Sequence, residues 1–285
     1  MNYYPFIVIE GADGAGTTTQ ARLLADRLRA HNMDPASCLL TRQPSDGPVG
    51  KKIRALLTGE DPPLASSAAM QLMFSADRLD HAERVILPAL RAGQIVVSDR
   101  YDMSTAIYLA AGSPRYKCLV QGCGWTGNNS PTASGFAALM SNPPPPEDVH
   151  DHPTKNLETE LLKHAFSWNT MAPRPLLTIV LSVSPEVAEE RRARGGKPEM
   201  FEQIEFQRRV CKLYDEAHRT HQRGESPEAI DAMSQHRPVR FDSPVAVING
   251  AAPMNVVAEE VWVRACVALA KLDEHNDDLA EWMRK

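Results

Sequence analysis

Phe6-Ile7-Val8-Ile9-Glu10-Gly11-Ala12-Asp13-Gly14-Ala15-Gly16-Thr17-Thr18-Thr19-Gln20 is the stretch that decides the fold. A short apolar, β-branched run passes through three glycines and opens a helical pattern with Leu23, Leu24 and Leu28 on one face, which reads as strand, loop and helix. Glycines at 11, 14 and 16 allow a sharp turn that aims backbone N–H groups inward, where the helix N-terminus adds partial positive charge for a polyphosphate. The spacing is that of a phosphate-binding Walker A loop, except that Thr17 stands where the lysine belongs. Thr18 keeps the magnesium-ligand position. The lysine normally reaches the β and γ phosphates, so its replacement removes charge from the place where phosphoryl transfer needs it most.

Composition narrows the classes. The chain has 285 residues, 43% of them hydrophobic, enough for one large α/β domain with a sizeable core. The apolar run at Phe6 to Ile9 is too short to span a bilayer, and no membrane association and a cytoplasmic location are expected. Five scattered cysteines argue against a disulfide framework. A formal net charge of -5 gives no general footprint for nucleic acid, so an anionic partner must be met by a local basic site, and small phosphorylated ligands fit best.

Further along, Ala36 to Leu40 predicts a second strand that delivers Arg42 to the end of a parallel sheet, where such sheets bind ligands; an exposed loop arginine fits the same position. Val49 to Leu57 predicts a short helix, and Leu64 to Gly93 a long helical region or two helices. In that region Phe74 and Arg78 are four apart and share a face, where an aromatic plane beside a guanidinium could recognise a base. The same spacing fits a core phenylalanine beside a solvated ion pair. His81 reads as structural. Gln94 to Ser98 predicts a buried strand with Asp99-Arg100-Tyr101 at its carboxyl end: a carboxylate placed to hold magnesium and an arginine placed to clamp a phosphate. Thr105 and Tyr108 follow on one helix face.

Taken in order, these segments resemble the thymidylate kinases. Members of that family carry Glu-Gly-x-Asp-Gly-x-Gly-Lys-Thr-Thr-Gln, then Thr-Arg-Glu-Pro, then Phe-x-Ala-Asp-Arg-x-x-His, then Asp-Arg-Tyr; this chain has counterparts to all four from Tyr4 to Ala111, and the similarity resumes at Pro173. The resemblance implies ATP bound by Gly11, Asp13, Gly14, Ala15, Gly16, Thr17, Thr18 and Thr19, with magnesium organised by Thr18 and Asp99. On the acceptor side it implies Asp13 at the sugar 3′-hydroxyl, Arg42 and Arg100 on the monophosphate, Phe74 stacked on thymine, Arg78 on its carbonyl edge, and Tyr108 crowding the 2′ side. Thr17, Gln43 and Thr105 depart from the pattern of lysine, glutamate and, in some members, asparagine.

Residues 113–156 have no counterpart in that similarity and read as an insertion. Cys118 and Cys123, with His150 and His152, could close a structural zinc site, which would let a small piece fold without much core. The alternative is a loop with two free thiols. Balanced charges disfavour a nucleic-acid role for it. After a predicted helix at Leu157 to Met171 and a buried strand at Leu176 to Val183, a helix carries Arg191, Arg192 and Arg194. The resemblance makes residues 186–200 a lid, with these arginines and Arg100 catalytic. Phe201 to His218, Val245 to Ile248 and Asn255 to Leu272 complete the pattern as helix, strand and helix.

The reading is a P-loop α/β kinase, a parallel sheet of about five strands flanked by helices with a small inserted subdomain. The resemblance implies phosphorylation of a deoxynucleoside monophosphate, dTMP above others, with ATP, magnesium and, in the insertion, zinc; a homodimer is left open. The rivals are a kinase for a modified pyrimidine monophosphate and a regulatory nucleotide-binding protein that lost catalysis with the loop lysine.

Overall fold

Strand β1, Phe6–Gly11, is buried along its whole length. Alternate side chains point to opposite faces of a sheet, so a strand buried on both lies centrally and is mostly apolar, here with Glu10 as the exception. Ile7 and Ile9 enter one core and Phe6 and Val8 another. In the computed structural model, which describes residues 4–64, 67–112, 116–118, 126–127, 154–156, 172–193, 204–222 and 244–273, β1 is the middle strand of five. The others are β2 (Cys38–Arg42), β3 (Ile95–Asp99), β7 (Leu177–Ser182) and β8 (Val245–Asn249), in the order β2-β3-β1-β7-β8, all parallel. The connection leaving β1 crosses beyond β3, and the one leaving β3 returns to β7 on the other side. Such a reversal opens a crevice at the carboxyl ends of the strands. Register brings Arg42 beside Asp99, Asp99 beside Ile9, and Gly11 beside Leu181, so the ends of four strands converge there.

Helices cover both faces. α1 (Thr17–His31) and the last helix, α8 (Met254–Asp273), pack Leu24, Leu28, Val257 and Val261 against Ile7, Ile9 and Ile179. On the opposite face α2 (Pro48–Thr58), α3 (Ser67–His81), α5 (Asp102–Gly112) and α7 (Ile204–Gln222) bring Ile53, Met70, Ile107 and Val210 together. α6 (Pro185–Ala193) follows β7 and lies against the loop after β1.

Two expected elements differ in extent. The second strand starts at Cys38 because Pro35–Ser37 forms a 3-10 turn, capped by the Asp34 carboxylate accepting from the Ala36 N–H at 2.8 Å. Arg42 thereby becomes the last residue of the strand. The long helical region is broken: α3 ends at His81, a π-helical turn spans Ala82–Ile86, and α4 (Leu87–Arg91) restarts with a proline in its first turn. Within it, Leu72 and Val85 face solvent. The expected insertion contributes a small antiparallel sheet, β4 (Tyr116–Cys118) between β5 (Thr126–Gly127) and β6 (Thr154–Asn156). The expected helix over 157–171 lies outside the described residues.

Two glycines with positive φ test how tightly α6 is seated. Gly59 closes α2 at φ +77 with open space where a Cβ would stand, whereas a Cβ on Gly14, at φ +89, would lie 2.4 Å from the Ala188 carbonyl oxygen. Gly59→Ala should cost only the left-handed penalty of about 1–2 kcal/mol. Gly14→Ala adds a backbone collision and should lower the thermal midpoint further, with α6 displaced. Equal midpoints in differential scanning calorimetry would show that α6 is not held against the loop.

Candidate active site

The loop after β1 supplies the first wall of the site. Gly16 is the N-cap of α1 at φ 94, with no side chain capping the helix and no acidic residue in its first turn. The first amides of a helix lack intrahelical acceptors, so they and the positive end of the helix dipole are presented to an incoming anion. A Cβ on Gly16 would meet nothing within 4 Å, the open side of the loop. Thr17 is buried, and Thr18 donates its hydroxyl proton to Asp99 Oδ2 at 2.5 Å. The other oxygen, Asp99 Oδ1, is buried and has no partner among the described residues. A hydroxyl and a half-satisfied carboxylate beside a phosphate loop suit a magnesium ion, which takes few protein oxygens and fills the rest of its octahedron with water and phosphate.

One cleft of about 580 Å³ runs from this loop to α3 and α5, within the range of small-molecule sites. Its walls include Gly14, Gly16, Thr17, Thr18 and Thr19 at one end and Phe74, Thr105 and Tyr108 at the other. Asp13, Arg42, Asp99, Arg100, Arg191 and Arg192 also line it. Most of the expected site residues are thus gathered in one place from β1, β2, β3, α3, α5 and α6.

Arg100 adopts a left-handed backbone at φ 66, and its N–H is held by the Ile9 carbonyl at 2.9 Å. Its guanidinium donates to Asp13 Oδ1 at 2.5 Å and to Ser104 Oγ at 3.1 Å. Asp13 accepts on its other oxygen from Gln207 Nε2 at 2.7 Å, so the carboxylate is fixed from two sides. Arg42, the last residue of β2, is half exposed, pairs with Asp46 at 2.7 Å and lies on the wall of the cleft. Arg191 donates to the carbonyls of Gly250 at 2.9 Å and Ala15 at 3.4 Å, and Arg192 to that of Asp13 at 2.6 Å. Two of the three expected arginines therefore already touch the phosphate loop; Arg194 lies outside the described residues, as do Cys123, His150, His152 and the side chain of Cys118.

Arg78 is placed differently from its expectation. It is fully buried, and burial lowers its pKa from the usual arginine value. Its Nε donates to Gln43 Oε1 at 3.2 Å, and its Nη2 donates to the Tyr101 carbonyl at 3.0 Å and to Thr105 Oγ1. Gln43 and Thr105 line the cleft, with Arg78 behind them. Tyr108 is buried, which pushes its phenol above the ordinary range, so it stays protonated. His81 bonds Thr41 Oγ1 through Nε2 at 2.7 Å, the structural role expected of it.

Sequence reading missed two wall residues and a buried residue that holds a third. Arg54 lines the cleft and donates to the Pro44 carbonyl at 3.1 Å; its sequence signal was one polar residue within the α2 pattern. Gln71 lies one turn before Phe74 on the same face of α3, which the spacing 71, 74, 78 could have revealed. Gln207, four residues into α7, carried no local signal for its bond to Asp13.

Comparison with known proteins agrees with this geometry. The thymidylate kinase family model matches residues 9–120. The thymidylate kinase of Synechococcus sp. (strain JA-3-3Ab) is 30% identical over 257 residues, covering 90% of this chain and 93% of that protein. That of Synechococcus sp. (strain JA-2-3B'a(2-13)) is 34% identical over 205 residues, 72% of this chain and 76% of the relative. The thymidylate kinase of Ruegeria pomeroyi reaches 47% identity over a shorter span of 103 residues, 36% of this chain and 47% of that protein. Matching a relative over nearly its full length, with the phosphate loop and strand-end arginines gathered at one cleft, the chain belongs to the thymidylate kinase family.

Proposed function

We propose that the protein transfers the γ-phosphoryl group of ATP to the 5′-phosphate of dTMP, yielding dTDP and ADP. The observation that carries this reading is the cleft joining an uncapped phosphate-loop helix to the aromatic ring of Phe74, with Arg42 and Arg100 on its wall. Gly11 through Thr19 supply amides to the ATP phosphates. Thr18 and Asp99 are the residues that would hold magnesium, which when bound neutralises charge on the β and γ oxygens. Phe74 stacks on the base, Tyr108 closes the 2′ side of the sugar, Asp13 receives the 3′-hydroxyl, and Arg42 and Arg100 hold the acceptor phosphate in line. Positioning and charge do the work here, since the phosphoryl group passes through a loose transition state with little covalent help from the protein.

Thr17 can donate a hydrogen bond to a phosphate oxygen but brings no charge. Arg191, Arg192 and Arg194, on the lid segment 186–200, supply it; the contacts of Arg191 and Arg192 with Ala15 and Asp13 support this assignment. A guanidinium offers several donors in a fixed plane, matched to phosphate oxygens.

The wild type should release ADP fastest with dTMP in a coupled assay across deoxynucleoside monophosphates, and absence of transfer to any of them would reject the proposal. Changing Arg191, Arg192 and Arg194 together to Ala should lower turnover on the order of a thousandfold, comparable to loss of an arginine finger. Undiminished turnover in that variant would leave the missing lysine without a substitute.

The proposal extends to one zinc ion held by Cys118, Cys123, His150 and His152. Supporting it are the residue types and the strand register, in which Cys118 faces Thr154, two residues after His152. Metal analysis should find close to one equivalent, lost when Cys118 and Cys123 are both changed to Ser. Protein free of zinc when purified without chelator counts against the site.

A further inference from the structure

We infer that Asp77 on α3 is a positioning residue for Arg42: it fixes the turn after β2 so that this guanidinium stands ready for the acceptor phosphate. This rests on the kinase reading above and adds to it a group that lies off the cleft wall. Asp77 is fully buried, and its two carboxylate oxygens accept from one residue, the N–H of Ser45 at 2.8 Å and the Ser45 hydroxyl at 2.5 Å. The same hydroxyl accepts from the Gly47 N–H at 3.0 Å, so Asp77, Ser45 and the N-cap of α2 form one chain of hydrogen bonds. α2 presses on the turn as well, since a Cβ on Gly50 would lie 2.1 Å from the Ser45 carbonyl oxygen.

α3 grips this segment at every second residue. His81 bonds Thr41, Arg78 bonds Gln43 and Asp77 bonds Ser45, from three positions within little more than one turn of the helix. Successive side chains of a strand point opposite ways, so Arg42, at the end of β2 between two gripped neighbours, is turned to the other side, where it lines the cleft. Its own ion pair does not hold it there: the side chains of Arg42 and Asp46 are 51% and 76% exposed, and pairs that open to water contribute little. Its direction is set by backbone bonds on the residues that follow, from the Gln43 N–H to the Asp99 carbonyl at 3.0 Å and from the Ser45 N–H to Asp77. A buried carboxylate is costly unless it secures donors, and both donors here belong to the turn that carries Arg42. An arginine aimed in advance loses less conformational freedom when a phosphate arrives.

Calorimetric binding of dTMP and of thymidine, which lacks the phosphate, tests this in the whole chain. Asp77→Asn exchanges one of the two acceptors for a donor; it should weaken dTMP binding by about tenfold and leave thymidine binding within about twofold of wild type, because only the phosphate contact is loosened. Arg42→Ala should weaken dTMP binding at least as much, and adding Asp77→Asn to it should change affinity by less than about twofold, since a positioning residue has no effect once its target is gone. Ser45→Ala removes the hydroxyl bond alone; it should move dTMP affinity the same way by a smaller factor, and it decides the matter if Asp77→Asn does not fold. Equal weakening of dTMP and thymidine, an effect of Asp77→Asn that is as large without Arg42 as with it, or unchanged dTMP affinity in the folded variants would overturn it. The kinase reading fails separately, on transfer: a wild type that binds dTMP through Arg42, with the coupling to Asp77 intact, and yields no dTDP rejects that reading and keeps this inference.

Discussion

A carboxylate with no access to water, Glu10 at the end of β1, is the point on which the site is assembled. It accepts from the Tyr101 N–H at 2.8 Å, the Ser104 N–H at 3.2 Å and hydroxyl at 2.5 Å, and the Tyr214 hydroxyl at 2.9 Å. A charge buried without such partners would cost several kcal/mol, of order the stability of the whole domain. Burial pushes its pKa up, while the Ser104 hydroxyl and the charge of Arg100 pull it back. Two of its donors are backbone amides around the first turn of α5, so Glu10 caps that helix from another strand and anchors α7 through Tyr214. Thr105 and Tyr108 on α5, and Gln207 on α7, which holds Asp13, are therefore set relative to the phosphate loop by the residue that precedes it.

Around that anchor the cations are distributed. Among the described residues, those lining the cleft are all arginine: Arg42 from β2, Arg54 from α2, Arg100 after β3, and Arg191 and Arg192 from α6. A family loop that keeps its lysine concentrates charge on the loop itself. Here the loop is neutral at Thr17, and charge arrives from elements packed on it, α6 being close enough that only glycine fits at position 14. Guanidiniums that already hold backbone carbonyls are poised without reordering a long side chain, which lowers the entropic cost of meeting a phosphate.

The sheet, the phosphate loop and the strand-end residues Arg42, Asp99 and Arg100 were legible because each depends on local pattern: β-branched runs, glycine spacing, polar residues at the carboxyl end of a buried strand. Helix existence was legible too, including the option of two helices over 64–93, whereas the π turn at 82–86 that joins them was not. What sequence could not supply was which partner a buried polar group finds. The family resemblance implied Arg78 at the ligand while its spacing from Phe74 also fitted an ion pair, and neither pointed to Gln43, thirty-five residues earlier, as its partner. Glu10, Gln71 and Gln207 look like ordinary polar residues until tertiary packing buries them. Long-range hydrogen bonds carry no signature in a local window, and they make up most of this site.

The pairing of Tyr116 with Asn156 in the small sheet has a bearing on how the chain acquired its length. Paired strands lie about 5 Å apart, so the stretch between Cys118 and Thr154 begins and ends at neighbouring points. To the parent fold, the segment between them is topologically equivalent to a short turn: it adds almost nothing to the closure entropy of the β3-to-β7 connection and requires no strand of the main sheet to shift register. A detour pinched at its base can be exchanged, lengthened or removed over generations while the catalytic framework stays as it is.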